Sequence, residues 1–208
     1  MFHLPINLNL YEPRTNSRSS MEKSKRPNPK NVWIVGDSYI RRGEERARKT
    51  VGTSLGLDTI VHWFGWGGLR WESLLPFIHQ SLRGRAAPDL LLIHCGGNDL
   101  GKIKSLDLVT GMKRDLQDLH RQSPGTKIFL SGITQRRRWR TANPGKIDKA
   151  RKWVRNVMAA FVQDLGGIFV PHPHITFEND DLFLKDGVHF TPRGNDIFLN
   201  NIIHSLKD

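Results

Sequence analysis

The sequence predicts a three-layer α/β/α domain built on a five-stranded parallel sheet of flavodoxin-like order 2-1-3-4-5. Two observations indicate this class. Short apolar segments alternate along the chain with longer segments of helical period, and the early apolar segments are apolar throughout, as strands covered on both faces are. The 208 residues also suit one ordinary domain. Right-handed crossovers then leave this strand order as the leading topology.

The predicted elements follow one another in regular alternation. Strands are predicted at 31–35, 57–64, 90–95, 127–130 and 168–170. Helices are predicted at 39–51, 69–82, 106–119, 147–165 and 191–206. Residues 171–190 have no regular period and are predicted to be irregular.

Positive charge is concentrated in two segments of the chain, whose formal net charge is +12 at pH 7. Residues 1–30 contain six basic and two acidic residues, and residues 135–156 contain nine basic residues and one acidic residue. The two segments account for the whole excess, so the rest of the chain is balanced. Residues 11–30 are polar without an apolar period, which predicts a disordered basic segment over 1–30 before an ordered domain over 31–208.

Cysteine content and hydropathy exclude several classes of protein. The single cysteine, Cys95, excludes an intramolecular disulfide and a multi-cysteine zinc site, and its apolar neighbours predict a buried free thiol. The first residues lack the features of a secretory signal, and no apolar run approaches the ~18 residues of a membrane span. We therefore predict an intracellular protein, and the basic clusters at 23–30 and 136–140 raise nuclear entry as a further hypothesis.

Glycines and polar residues follow the predicted strands where each strand ends. Because strand ends and helix N-termini of an open α/β sheet converge where ligands bind, these groups are expected to share one rim. They are Gly36, Asp37 and Ser38 after the first strand, Gly65, Gly67 and Gly68 after the second, Gly96, Gly97, Asn98 and Asp99 after the third, and Asp186 and His189 beyond the fifth. In the predicted order, Ser38 therefore lies between a glycine turn and Asn98.

These residue types match the requirements of acyl transfer from an ester. Ser38 can act as the nucleophile and His189 as its base, since histidine titrates near neutral pH. Asp186 can orient the imidazole and stabilise the imidazolium. The backbone N–H groups of Ser38 and Gly68 and the side-chain amide of Asn98 can donate to the oxyanion. Taken alone, a serine at this turn is equally typical of a helix cap.

Four blocks of the chain also resemble the signature blocks of the SGNH (GDSL-type) hydrolases. They are Gly36-Asp37-Ser38-Tyr39, the turn from Gly65 to Gly68, Gly96-Gly97-Asn98-Asp99 and Asp186-Gly187-Val188-His189, in the order and spacing of that family. The resemblance implies a flavodoxin-like fold, a Ser-His-Asp esterase mechanism without metal or cofactor, and the roles given above to Ser38, Gly68, Asn98, Asp186 and His189.

Finer resemblances bear on single positions. The turn from 64 to 68 is similar to that of the platelet-activating-factor acetylhydrolase branch, which favours Gly68 among the glycines. Tyr39 stands where the family has leucine, and we expect it to pack behind the nucleophile. More loosely, the basic, tryptophan-rich composition resembles the SGNH domains encoded by vertebrate retroelements.

Other motifs in the chain lack the context that their chemistry needs. The stretch from Gly52 to Gly56 matches the nucleophile elbow G-x-S-x-G, but it ends a predicted helix and precedes a strand, whereas the elbow needs the reverse. His94 and the segment His172-Pro173-His174 lack a third matched ligand, so we predict hydrogen-bonded histidines and no metal. Two roles are open for Asp99: support of its own loop, or a hydrogen bond to the Ser38 turn.

The basic loop after the fourth strand is predicted to lie on the same rim. It contains Arg136, Arg137, Arg138, Trp139 and Arg140. Charge runs are usually solvated helix faces, and residues 146–155 fit that description. For the loop we hypothesise a role in attracting an anionic partner: acidic lipid headgroups, a phosphorylated or acidic substrate, or nucleic acid, with Trp139 able to stack or insert.

The sequence alone therefore supports two hypotheses about function. The leading one is a serine esterase that acts on a small-molecule or lipid ester. The rival is a nucleic-acid or anionic-membrane binding module on a hydrolase scaffold, with little or no turnover, and the two basic segments motivate it.

Overall fold

The computed structural model describes residues 28–139 and 143–207. Most of the predicted N-terminal segment and one residue of the basic loop, Arg140, lie outside these ranges. Within them, five strands alternate with five α-helices. The strands are β1 (Lys30–Gly36), β2 (Thr59–Gly65), β3 (Leu90–His94), β4 (Lys127–Ser131) and β5 (Ile168–Val170). The helices are α1 (Ser38–Lys49), α2 (Leu74–Leu82), α3 (Ser105–Gln122), α4 (Pro144–Asp164) and α5 (Pro192–Lys207).

The strands form one parallel sheet in the order β2-β1-β3-β4-β5, which confirms the predicted topology. Successive residues of a strand face opposite sides of the sheet. Val32 and Ile34 of β1 therefore pack in the core shared with α1 and α5, while Trp33 and Val35 pack in the core shared with α2, α3 and α4. The sheet is thus covered on both faces, and the three-layer α/β/α architecture is as predicted.

Several predicted boundaries differ from the observed ones by a few residues, and two of these differences have a clear local cause. Strand β2 begins at Thr59 and not at 57, because a turn closed by the hydrogen bond from Leu57 N to Ser54 O precedes it. The helix predicted from residue 69 begins as α2 only at Leu74, after a 3-10 turn at Trp71–Ser73. Pro76 explains this difference, since it has no N–H group to bond the carbonyl four residues earlier.

Helix α1 begins immediately after the first strand, and its cap is Asp37. The side chain of Asp37 accepts a hydrogen bond of 3.0 Å from the backbone N–H of Tyr39, and Ser38 is the first helical residue. The interpretation of Ser38 as the cap is therefore wrong. Because the neighbouring residue supplies the cap, the Ser38 hydroxyl is free to face the rim.

One further expectation is met within the described residues. Cys95 is a buried free thiol. Among the helices of residues 28–139 and 143–207, none has the length and apolar character needed to cross a membrane.

Candidate active site

Ser38, His189 and Asp186 form a continuous line of hydrogen bonds at the carboxyl edge of the sheet. His189 Nε2 lies 3.1 Å from Ser38 Oγ, and His189 Nδ1 lies 2.6 Å from Asp186 Oδ2. Ser38 is only 9% exposed, and it is positioned by the end of β1 and the start of α1. The structure thus brings Ser38 together with Asp186 and His189, which lie about 150 positions later in the chain and which the strand-end argument predicted to share one rim with it.

The second oxygen of Asp186 holds the loop that carries the histidine. Asp186 Oδ1 accepts hydrogen bonds of 2.9 Å from the backbone N–H groups of Val188 and His189. Desolvation alone would raise the pKa of Asp186, but these bonds and the one from the imidazole outweigh it and lower the pKa to about 2. The carboxylate is therefore ionised at neutral pH and fixes the orientation of the ring.

Gly187 allows this loop to turn between the two residues. Its φ is +67°, in the left-handed region that a side chain disfavours. The basic loop covers it: Arg138 N donates to Gly187 O at 3.0 Å, and a Cβ at position 187 would lie 2.6 Å from Arg138 Cγ. The loop after β4 is therefore packed directly on the segment between Asp186 and His189.

The predicted oxyanion donors lie beside Ser38 in one cavity. Gly68 has a φ of +77°, and a Cβ there would meet nothing within 4 Å, so its backbone faces open space. The amide of Asn98 is already engaged: Nδ2 donates to Leu69 O at 3.0 Å and to Asp37 Oδ2 at 3.3 Å. An oxyanion can gain this donor only by replacing one of the two acceptors.

Asp37 and Arg136 bracket Asn98. Arg136 donates to Asn98 Oδ1 at 3.3 Å, opposite the bond from Nδ2 to Asp37. Asp37 is completely buried, and this burial raises its pKa to about 6, against the lowering effects of the Tyr39 N–H group and the Arg136 charge. The amide orientation is thus set from both ends, since reversing it would place oxygen against carboxylate and nitrogen against guanidinium.

The supporting residues also have defined contacts. Asp99 Oδ2 accepts a 3.0 Å hydrogen bond from the backbone N–H of Trp71, so it supports the turn before α2 and not the Ser38 turn. Tyr39 is 2% exposed and packs behind the serine, as predicted, and its hydroxyl donates to Val188 O at 2.6 Å. This bond ties the start of α1 to the loop that carries His189.

The cavity beside Ser38 has a volume of about 570 Å³. Arg136, Arg138 and Trp139 of the basic loop line it, whereas Arg137 does not and lies 3.6 Å from Asp180. Three further basic residues that were not predicted also line it: Arg41 and Arg42 of α1, and Lys102. A signal for Arg42 was present in the sequence, because it follows Ser38 by four residues and so lies on the same face of the predicted helix.

Two other histidines, His94 and His172, belong to a buried chain of hydrogen bonds. Ser131 Oγ lies 2.8 Å from His94 Nδ1 and 2.7 Å from His172 Nε2. Burial lowers the pKa of both rings, that of His172 to about 3, so both are neutral at physiological pH. In the part of the chain that the structure describes, no group of three His, Cys, Asp or Glu residues is arranged to hold a metal ion.

A family model, described as the GDSL-like Lipase/Acylhydrolase family, matches residues 34–197, a range that contains every residue of this site. The chain belongs to the GDSL-like lipase/acylhydrolase family. A search of curated proteins finds no match. This GDSL-like protein is therefore assigned to a hydrolase family by its family match and not by a curated relative.

Two solved structures share the fold, and a third match has a lower TM-score. One is a GDSL-like lipase from Bacteroides thetaiotaomicron, with 19% identity, a TM-score of 0.67, and coverage of 88% of this chain and 92% of that chain. Another is an acetyl esterase mutant with acetate ion, with 16% identity, a TM-score of 0.60, and coverage of 84% and 95%. The esterase domain of the ZfL2-1 ORF1 protein from a zebrafish retrotransposon matches with 23% identity, a TM-score of 0.44, and coverage of 85% and 99%.

Proposed function

We propose that this protein is a serine esterase in which Ser38 forms an acyl-enzyme. The observation that carries the proposal is the hydrogen-bonded line from Asp186 through His189 to Ser38, with separations of 2.6 and 3.1 Å. A nucleophile, a base within hydrogen-bond reach and a group that orients the base are the parts that this chemistry requires. The family match supports a hydrolase, and neighbours of the same fold named as a lipase and an esterase support an ester substrate.

In the proposed mechanism, Ser38 Oγ attacks the carbonyl carbon of the ester while its proton moves to His189 Nε2. The bond from this carbon to the alkoxy oxygen then breaks, and the alcohol leaves with the proton from His189. Water, deprotonated by the same nitrogen, then attacks the acyl carbon. The bond from this carbon to Ser38 Oγ breaks, His189 returns the proton to Oγ, and the acid is released. The ionised Asp186 stabilises the imidazolium in both halves.

The oxyanion is assigned to the N–H groups of Ser38 and Gly68 and to the amide of Asn98. Of the two bonds that Asn98 Nδ2 makes, the one to Asp37 is the longer, at 3.3 Å against 3.0 Å for Leu69 O. We therefore expect the oxyanion to replace Asp37 as acceptor. Removal of one such donor typically lowers the rate by about 10²–10³.

The test compares hydrolysis of p-nitrophenyl acetate by the wild type, Ser38→Ala and Ser54→Ala. Ser54 is the serine of the G-x-S-x-G match; it is exposed and lies in the turns before β2, so it serves as the matched control. We expect Ser38→Ala to lower kcat by at least about 10³ and Ser54→Ala to leave it unchanged. Equal rates for the wild type and Ser38→Ala would refute the mechanism. A series of longer acyl chains then defines the acyl preference.

The Ser38→Ala variant also tests the rival function. Arg138, an exposed arginine at the cavity, and the adjoining basic run favour a nucleic-acid or anionic-membrane binding module. Such a module would bind its partner tightly and with strong salt dependence, and the Ser38→Ala variant would bind equally well. Neither protein would hydrolyse an ester above background.

A further inference from the structure

Arginines without a carboxylate partner are concentrated in the cavity beside Ser38. In residues 28–139 and 143–207, nine of the fifteen arginines lie within 4.0 Å of a carboxylate oxygen. Three of the six others line this one cavity: Arg42, Arg136 and Arg138. Since arginines elsewhere in the domain are mostly paired with acids, this group is a distinct local feature.

The three arginines reach this cavity from two parts of the chain, helix α1 and the loop after β4. Arg42 lies one helical turn beyond Ser38 on α1, and its Nε is buried without a hydrogen-bond partner among the described residues. Arg136 donates to a neutral oxygen, Asn98 Oδ1, and its charge also acts on the buried Asp37. Its Nε is buried without a hydrogen-bond partner among the described residues. Arg138 is exposed, with its stem seated on Gly187. The three cations thus lie around the nucleophile on the α1, Asn98 and His189 sides.

The carboxylate that lines the cavity already has hydrogen-bond partners. Among the described residues that line the cavity, the only carboxylate is that of Asp186, and it accepts hydrogen bonds from the His189 ring and from two backbone N–H groups. Concentrated charge of one sign in a concave site attracts ions of the other sign. A guanidinium group presents N–H donors in the planar fork that fits a carboxylate or a phosphate.

We propose that the substrate is an ester that also carries a phosphate or carboxylate group, and that Arg42, Arg136 and Arg138 bind this group beside Ser38. The inference rests on the proposed esterase function and specifies its substrate class. The cavity volume of about 570 Å³ lies in the range of small-molecule sites. The anionic group therefore sits on the same small molecule, or the same lipid headgroup, as the ester that Ser38 attacks.

The first test uses two pairs of esters that differ in one negative charge. The pair 4-acetoxybenzoate and its methyl ester carries the charge on the alcohol side, and the pair mono-4-nitrophenyl succinate and 4-nitrophenyl butyrate carries it on the acyl side. We expect kcat/KM to favour the anionic member of at least one pair by about 10-fold or more at low salt, because charged hydrogen bonds are strong. This preference should shrink as the salt concentration rises.

The variants Arg42→Gln and Arg138→Gln test whether these arginines produce the preference for the anionic ester. Each should lower kcat/KM for the anionic ester more than for its neutral partner. The matched control is Arg48→Gln, on the same helix as Arg42 but paired with Glu44 and outside the cavity, and it should leave the preference unchanged. If the wild type hydrolyses both members of each pair at equal rates, or if Arg42→Gln keeps the full preference, the anion subsite is wrong while the esterase function stands.

A binding measurement decides the matter even if no ester is hydrolysed. Ser38→Ala is titrated with phenyl phosphate, with phosphatidylcholine vesicles containing phosphatidic acid, and with an oligonucleotide. Binding of phenyl phosphate that weakens about 10-fold in Arg42→Gln supports a soluble anionic substrate. Binding of vesicles alone, with the same dependence on Arg42, supports a lipid headgroup. Binding of vesicles or of an oligonucleotide that does not depend on Arg42, or no binding at all, overturns the proposal.

Discussion

The buried carboxylate next to the nucleophile should make the protein less stable as the pH rises. Asp37 is completely buried, and desolvation raises its pKa to about 6 from an ordinary value of 3.8. Between these values the folded protein keeps a proton that the unfolded chain has released. Because stability falls with pH wherever the folded state binds more protons, Asp37 contributes stability below pH 4 that is lost as the pH rises through about 6.

The size of this effect follows from the two pKa values. A difference of about 2 pKa units at 1.36 kcal/mol each gives about 3 kcal/mol over the whole range. Between pH 5 and pH 7 the expected share is about 1.3 kcal/mol. The substitution Asp37→Asn mimics the neutral acid, so the variant should lack this pH-dependent term. Its stability relative to the wild type should therefore increase as the pH rises.

The measurement is the free energy of unfolding in urea for the wild type and Asp37→Asn at several pH values from 4.5 to 7.5. Only the pH dependence of the difference between the two proteins is interpreted. A constant offset, such as that from the altered contact between Asp37 and Asn98, cancels, as do the titrations of all other groups. Two curves that run parallel across this range would show that burial does not raise the pKa of Asp37, and the reasoning would fail.

Three further predictions concern the packing around the site. Gly187→Ala should cost about 1–2 kcal/mol of backbone strain and should also lower kcat, because the added Cβ would collide with Arg138. The control is Gly166→Ala, which has a similar positive φ but open space around it, and it should lose stability without losing activity. Urea unfolding measures the stability, and p-nitrophenyl acetate hydrolysis measures the activity. Tyr39→Phe should cost about 1–3 kcal/mol by leaving a backbone carbonyl of the His189 loop unpaired, and should lower kcat. Phe198→Ala, which empties a fully buried position between the sheet and α5, should cost about 3–5 kcal/mol in urea unfolding.

The layered fold was predictable because its central strands are covered on both faces of the sheet. The strands β1 and β3 are covered on both faces, so every residue in their centres is apolar and the run is visible in the sequence. Boundaries failed where local chemistry overrides the period. The turn before Thr59 and the effect of Pro76 depend on hydrogen bonds that an apolar count does not detect.

The position of the candidate site was predictable from topology, but its hydrogen bonds were not. Parallel strands end at one edge of the sheet, so the sequence alone places Ser38 and Asn98 together. The engagement of the Asn98 amide, the separate directions of Arg137 and Arg138, and the role of Asp99 are set by loop conformation. Loops take their shape from contacts between segments distant in sequence, which no local pattern encodes.

The arrangement around Asn98 explains why a buried acid is compatible with the proposed chemistry. An ionised Asp37 accepts from the same amide nitrogen that the oxyanion needs, so it competes with the transition state. Two features of the structure reduce this competition: burial raises the pKa of Asp37, and Arg136 donates to the oxygen of the same amide. A cation bonded to the amide oxygen polarises the group and strengthens its N–H donors. In this view Asp37 maintains the cap and the amide orientation, while Arg136 keeps the negative charge of Asp37 from opposing the oxyanion.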